Sequence, residues 1–295
     1  MDREQLRGLQ LMELYILSRV DDVCRKHNIR YYIVAGTLLG AIRHGGFIPW
    51  DDDIDIAMYR EDYTKFLEIA PEELGPEFFV QTWKTERQYY RYVARVRANG
   101  TVFLPRSYVG VDIHNGVCVD IFPLDRIPKD YGLAIQMRAL LIEFLQRLHR
   151  LKVIGGSKDV FRPRDTRLRR ILRLLMRPLT LLLPYELIGR CVDYLCQLTS
   201  SQEGGLATSF FSGYGWRKEA VPHDVYGDGV TVTFEGKQFR APSQWHVLLT
   251  RIYGDYLAMP PEEERDKHKV VLVDLGKYED AFMKVVREEV VAGEG

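Results

Sequence analysis

The sequence has no apolar run of about 18 residues, the length a helix needs to cross a bilayer, so no transmembrane helix is predicted. Net charge is absent too: 41 Lys and Arg balance 41 Asp and Glu. That balance argues against a dedicated nucleic-acid partner, although it leaves local patches open. Cysteine is scarce. Cys24, Cys118, Cys191 and Cys196 form no CxxC pair and have no histidine spacing suited to zinc. They read as buried thiols in a reducing compartment. The opening MDREQLRGLQ is too polar for a signal peptide, so the expectation is a cytoplasmic protein. Internal repeats and low-complexity segments are also missing.

Apolar residues are plentiful, at 46% of 295 positions, enough for one large or two ordinary domains. Residues 2–27 carry Leu6, Leu9, Ile16, Val20 and Val23 at helical spacing. Residues 30–35 read as a strand that Gly36 breaks. Thr37 then serves as N-cap of a short helix through Arg43. An acidic strand over 53–58 is followed by a helix over 60–70 that Pro71 stops. Strands are expected at 77–83, 90–97 and 117–122, with a turn at Asn99-Gly100. Residues 131–199 are helical in pattern and basic. A hairpin joins 230–234 to 238–241, and a helix over 245–253 leads into a helical C-terminal region. The reading is α+β, a small mixed sheet flanked by helices. Three segments are expected: a catalytic core over 1–130, a basic helical insertion or subdomain over 131–200, and a closing segment over 201–295.

The chemistry concentrates in Gly36 to Ile56, GTLLGAIRHGGFIPWDDDIDI. On a strand, Asp53 and Asp55 share one face, while Ile54 and Ile56 share the other. An acidic turn in solvent would explain DDD alone. Half-burial makes that reading poorer, because a buried carboxylate without compensation costs several kcal/mol. A divalent cation between the two carboxylates is the natural compensation. Asp120, in VCVDIF, lies on a second strand of the same character. Gly36-Thr37 at a helix start can present free amides to a phosphate. Asp51 shares the parity of Asp53 but follows Trp50 in a loop, and it reads as a weaker candidate.

A glycine-hydroxyl pair, an Asp-Ile-Asp strand and a distant Asp together resemble the polymerase β-like nucleotidyltransferase superfamily. The match narrows over longer blocks: YYIVAGTLLGAIRHGGFIPWDDDIDIAM, RYVARVRANGTVF, HNGVCVDIFPLD, FEGKQFRAP and YGDYLAMPPEEER. These resemble successive blocks of the LicD family and span residues 31 to 265. The resemblance implies transfer of a substituted phosphate, phosphocholine first, from a CDP-linked donor. The acceptor would be a hydroxyl of a cell-surface glycan such as lipopolysaccharide, a teichoic acid or a lipid-linked precursor. Relatives such as fukutin and its related protein imply ribitol phosphate instead.

On this reading Asp53, Asp55 and Asp120 hold Mg²⁺, with Mn²⁺ as the alternative, and Asp120 could also act as base. Gly36, Thr37, Arg43, Arg95, Arg97 and Arg265 contact donor phosphate or nucleotide, and His44 could donate to the leaving group. Each has a bland counterpart. Arg43 and His44 suit a helix C-terminus, Arg95 and Arg97 suit a strand edge, and Trp50 and His268 suit core or surface. The basic section has three readings: a solvated helix face, peripheral contact with an anionic inner membrane face, or an acceptor-binding surface. Two other functions stay open: a nucleotidyltransferase that releases pyrophosphate, and a non-catalytic binding protein on the same fold.

Overall fold

The computed structural model describes residues 1–156, 180, 182–198, 205–265 and 270–293. Its elements in chain order are α1 (Arg3–Lys26), β1 (Tyr32–Ile33), α2 (Ala35–His44), β2 (Asp55–Tyr59), α3 (Arg60–Leu74), β3 (Phe78–Gln81), β4 (Ala94–Ala98), β5 (Val102–Pro105) and β6 (Cys118–Ile127). There follow α4 (Leu133–Gly156), α5 (Tyr185–Gln197), β7 (Leu206–Thr208), α6 (Trp216–Glu219), β8 (Val221–Pro222), β9 (Val230–Phe234), β10 (Lys237–Ala241), α7 (Trp245–Tyr253), β11 (Val270–Asp274) and α8 (Glu279–Gly293).

The central sheet runs β1-β2-β6-β4-β3. Only β2 and β6 are parallel within it; the other pairs are antiparallel, so the sheet is mixed and the class α+β as expected. The far end of β6 also pairs with β7, which pairs with β8. Helix α1 starts on a capping box: Asp2 accepts from the Gln5 amide, and Gln5 returns to the Asp2 amide. Its inner face buries Leu9, Met12, Ile16, Leu17 and Val20 completely. The same apolar cluster takes in the β2 and β6 interior, α2, α3 and the β9–β10 hairpin.

Several boundaries differ from expectation. Pro71 does not stop α3, which continues to Leu74 because Phe66, Ala70 and Leu74 lie at i, i+4 and i+8 on one buried face. The strand expected over 30–35 shrinks to β1, because Ala35 turns into the left-handed region (φ 51°) and opens α2. Strand 90–97 begins only at Ala94, and β6 runs on to Ile127. The C-terminal region is not wholly helical: β11 pairs antiparallel with β5, an edge ladder that the apolar run VVLVD did not announce. The hairpin forms as expected on Glu235-Gly236, both at positive φ (51° and 71°). Helices α4 and α5 fit the helical pattern of 131–199, but the most basic stretch, 157–179, lies outside the described residues. No described helix is long and apolar enough to cross a membrane. The four cysteines are free thiols, and Cys24, Cys118 and Cys196 are buried.

Candidate active site

Strand register brings Asp55, Asp120 and Arg95 into one row. Asp55 pairs with Asp120 across the parallel β2–β6 ladder, and Asp120 pairs with Arg95 across the antiparallel β4–β6 ladder. The ladder starts one residue early, where the Asp120 amide donates to the Ile54 carbonyl at 2.9 Å. Arg95 grips the Asp120 carboxylate with two nitrogens, Nε at 2.6 Å from Oδ1 and Nη2 at 2.8 Å from Oδ2. Both side chains are almost fully withdrawn from water. The Cys118 thiol adds a weak donation to Oδ1 at 3.7 Å.

Asp53 sits differently from the expectation. It precedes β2 and lies in a loop, so strand alternation does not place it beside Asp55. Its neighbours are in its own loop: carboxylate oxygens of Asp51, Asp52 and Asp53 all lie within 4.8 Å of one another. Among the described residues, Asp53, Asp55 and Asp120 do not close to that limit, because Asp120 is drawn toward Arg95. The loop is braced from α1, where Gln10 Nε2 donates to the Asp51 carbonyl at 2.9 Å. Gly36 gives it room. A Cβ at 36 would stand 2.5 Å from Asp51 Oδ2.

Burial and mutual repulsion set the protonation of these acids. Burial, then the charge of Asp120, pushes Asp53 up to about 6 against the opposing pull of Arg95 and Arg91. Burial and Asp53 hold Asp51 well above the carboxylate range. Burial, then Asp53 and Asp120, does the same for Asp55. The set offers oxygen donors alone, crowded and partly buried. That chemistry suits a hard divalent cation such as Mg²⁺ or Mn²⁺.

The remaining expected residues divide. Thr37 is not the N-cap; Val34 holds that position without a side-chain bond. The Thr37 hydroxyl instead accepts from the Asp55 amide at 2.8 Å, so it positions the β2 carboxylate. Arg97 is corrected outright as a phosphate ligand. It is fully buried, donating to Gln81 Oε1 at 2.6 Å and to the Gly116 carbonyl. His44 is exposed and accepts from Arg43 Nε at 2.9 Å; partial burial and the Arg43 charge lower its pKa. Arg43 also donates to the carbonyls of Tyr256 and Ala258, both at 3.3 Å, which ties α2 to the C-terminal loop. Arg265 lies 5.0 Å over the Trp50 ring, and its Nε donates to the Pro260 carbonyl at 3.0 Å. Trp50 packs on the core edge and serves as this platform. His268 lies outside the described residues.

Residues 28–132 match the family described as LicD/FKTN/FKRP, nucleotidyltransferase domain. The chain is 29% identical to the lipopolysaccharide cholinephosphotransferase LicD of Haemophilus influenzae over 275 residues, 92% of this chain and 98% of that protein. It is 37% identical to the ribitol 5-phosphate transferase FKRP of Homo sapiens over 70 residues, 24% of this chain and 13% of that protein. Both relatives are named as transferases of a phosphorylated alcohol.

The segment matched to that family supplies Asp51, Asp53, Asp55, Arg95 and Asp120, but other groups reach the site from outside it. Tyr214 and Tyr253 share a hydrogen bond between hydroxyls at 2.6 Å. Burial first, then the charges of Asp55 and Asp51, raise both phenols; the shared bond adds to the rise at Tyr253 and opposes it at Tyr214. Glu219, on α6, accepts from the Ser212 hydroxyl; burial lifts it to about 7, and its charge is felt at Asp55. Sequence reading passed over these three, since nothing local marks a tyrosine or glutamate as facing a distant loop. Glu13, on α1, was also missed. Its signal was present: position 13 is i+4 from Leu9 and i−3 from Ile16, on the buried stripe. A cleft of about 650 Å³ lined by Trp83, Arg87, Tyr185 and Asp193 shares no residue with the acidic set.

Raised carboxylates destabilise the folded state as they ionise. Their cost is absent below the ordinary carboxylate range and grows as pH rises through the elevated value, about 6 for Asp53. Metal-free protein should therefore melt at lower temperature at pH 7.5 than at pH 5.5. Added Mg²⁺ should raise the melting temperature more at pH 7.5. Equal Mg²⁺ shifts at the two pH values would contradict this.

Proposed function

We propose that the protein is a divalent-metal-dependent phosphotransferase that moves a phospho-alcohol, phosphocholine first, from a CDP-linked donor to a hydroxyl of a surface glycan or its lipid-linked precursor. The carrying observation is the row Asp55–Asp120–Arg95 beside the Asp51–Asp53 loop, carboxylates and a guanidinium on one sheet end. Likeness over 92% of the chain to a cholinephosphotransferase supports the reaction class.

A cation held by Asp53 and Asp55, with Asp120 at its edge, would neutralise phosphate oxygens and acidify an acceptor hydroxyl. The chain's own groups do the rest. The acceptor oxygen attacks the phosphorus that bears the alcohol, the P–O–P bridge breaks, and CMP leaves with the electron pair. The acceptor proton passes to a carboxylate of the set, with Asp120, at the edge of the cation, as the candidate base. Arg95 holds Asp120 in place. Arg43, with the Arg265–Trp50 platform, lies on the side where the C-terminal loop returns, and there a nucleotide would be covered. Membrane contact through residues 157–179 would bring a lipid-linked acceptor near.

Purified protein incubated with CDP-choline, Mg²⁺ and an acceptor glycan should release CMP. Pyrophosphate released from CTP instead would identify a nucleotidyltransferase. Absence of turnover with CDP-choline, CDP-ribitol and CDP-glycerol alike would favour a binding protein.

A further inference from the structure

Glu13 is the one carboxylate in the middle of the α1 apolar face. Its neighbours along that face are Leu9, Met12, Ile16 and Leu17, each fully buried. Glu13 itself is 1% exposed, and its Oε2 has no hydrogen-bond partner among the described residues. A carboxylate so placed costs free energy unless something neutralises it. A methionine or leucine would fill the position at no such cost.

The position explains what the carboxylate faces. Gln10, one turn earlier on the same side of the helix, already reaches the acidic loop through the Asp51 carbonyl. Helix α1 packs across β4 and β6, the strands that carry Arg95 and Asp120. Burial acts most strongly on Glu13, followed by the charges of Asp53, Cys118, Asp51 and Asp120. On β4, Arg95 is committed to Asp120, and Arg97 donates to Gln81 Oε1 and the Gly116 carbonyl. A buried, unpartnered acid therefore sits on the α1 face that meets β4 and β6.

We propose that Glu13 is a further carboxylate of the metal centre, supplied by α1 through a metal-bound water. This rests on the metal reading above. In that arrangement the unpartnered Oε2 gains the positive charge it lacks. Gln10 and Glu13 then act as a pair, the first fixing the loop backbone and the second completing the donor set. Glu13 is a positioning residue for the cation, not a group that touches the reacting phosphorus.

Mn²⁺ binding to the full chain, freed of metal by chelation, tests this by the loss of free-ion signal in electron paramagnetic resonance. Glu13→Gln keeps shape and removes charge. It should weaken Mn²⁺ about 10- to 100-fold, as loss of a supporting carboxylate does elsewhere. The metal-free variant should melt at or above the wild-type temperature, because no buried acid then has to be kept protonated on folding. Glu13→Met, matched to its apolar neighbours, should show the same loss and serves if the glutamine variant folds poorly. Wild-type Mn²⁺ affinity in either variant, with binding lost in Asp53→Asn, overturns this inference alone. It would mean that Glu13 is a neutral buried acid. Wild-type protein that binds no Mn²⁺ overturns the metal reading and this inference with it.

Discussion

Asp53→Asn should lower turnover on the order of 10³-fold while leaving the fold intact, a loss of the size expected when a preorganised electrostatic element is removed. Asp53 carries charge in the middle of the acidic loop, and burial with repulsion from Asp120 already lifts its pKa to about 6. The asparagine keeps the shape and relieves that repulsion. Metal-free Asp53→Asn should therefore melt no lower than wild type, and the Mg²⁺-induced rise should shrink or vanish. Asp120→Asn makes a sharp comparison. Asp120 is the partner of Arg95, a buried guanidinium that cannot shed its proton. Its removal should cost activity and stability together. Melting curves and CMP release on the two variants separate the roles. Full activity in Asp53→Asn would remove Asp53 from the metal centre, and unchanged stability in Asp120→Asn would contradict the Arg95 pairing.

The contrast between those residues shows what could be read in advance. Asp55 and Asp120 were legible because each interrupts an apolar strand, and a charge there requires a reason. The cross-strand match between them follows once both strands are assigned to one sheet. Asp53 was legible as chemistry but not as geometry. Its alternation with Asp55 continues past the strand end into a loop whose path is set by Gln10, a residue 43 positions earlier. Arg97 misled for a related reason. Sharing a strand face with Arg95 puts the two side chains on one side, but the Gln81 amide and the Gly116 carbonyl capture Arg97 further along the sheet. Glu235 shows the limit most plainly. As a hairpin residue it reads as turn chemistry, yet its carboxylate accepts from the Phe47 amide at 3.0 Å and from Arg7 Nη2 at 2.8 Å. The same carboxylate lies where a Cβ on Gly46 would be, 2.2 Å away. The Gly45-Gly46 bend thus owes its glycine to a contact from nearly two hundred residues downstream. Local patterning carries element type and buried charge; it does not carry which distant side chain fills a given space.

Asp125→Ala should be the most destabilising single change at a distance from the acidic loop, by about 3–5 kcal/mol. Asp125 and Arg60 form a buried bidentate pair, with Nε at 2.8 Å from Oδ1 and Nη2 at 2.7 Å from Oδ2. The pair fastens the first residue of α3 to β6 just past Leu124, the last β6 residue that β2 pairs with. Asp125 is fully buried, and burial holds its pKa above the ordinary value even though Arg60 pulls the other way. The two partners are therefore not equivalent. In Arg60→Ala, Asp125 can take up a proton and become neutral, so the cost should be small at low pH and grow as pH rises above the usual carboxylate range. In Asp125→Ala, Arg60 stays charged in a dry site, and the cost should persist at every pH. Arg60→Met with Asp125→Leu together should cost less than Asp125→Ala alone, since no buried charge remains. Chemical denaturation of the three proteins at pH 5 and pH 8 reads all of this. Equal losses for the two single variants at both pH values would show that the pair acts through shape and not through charge.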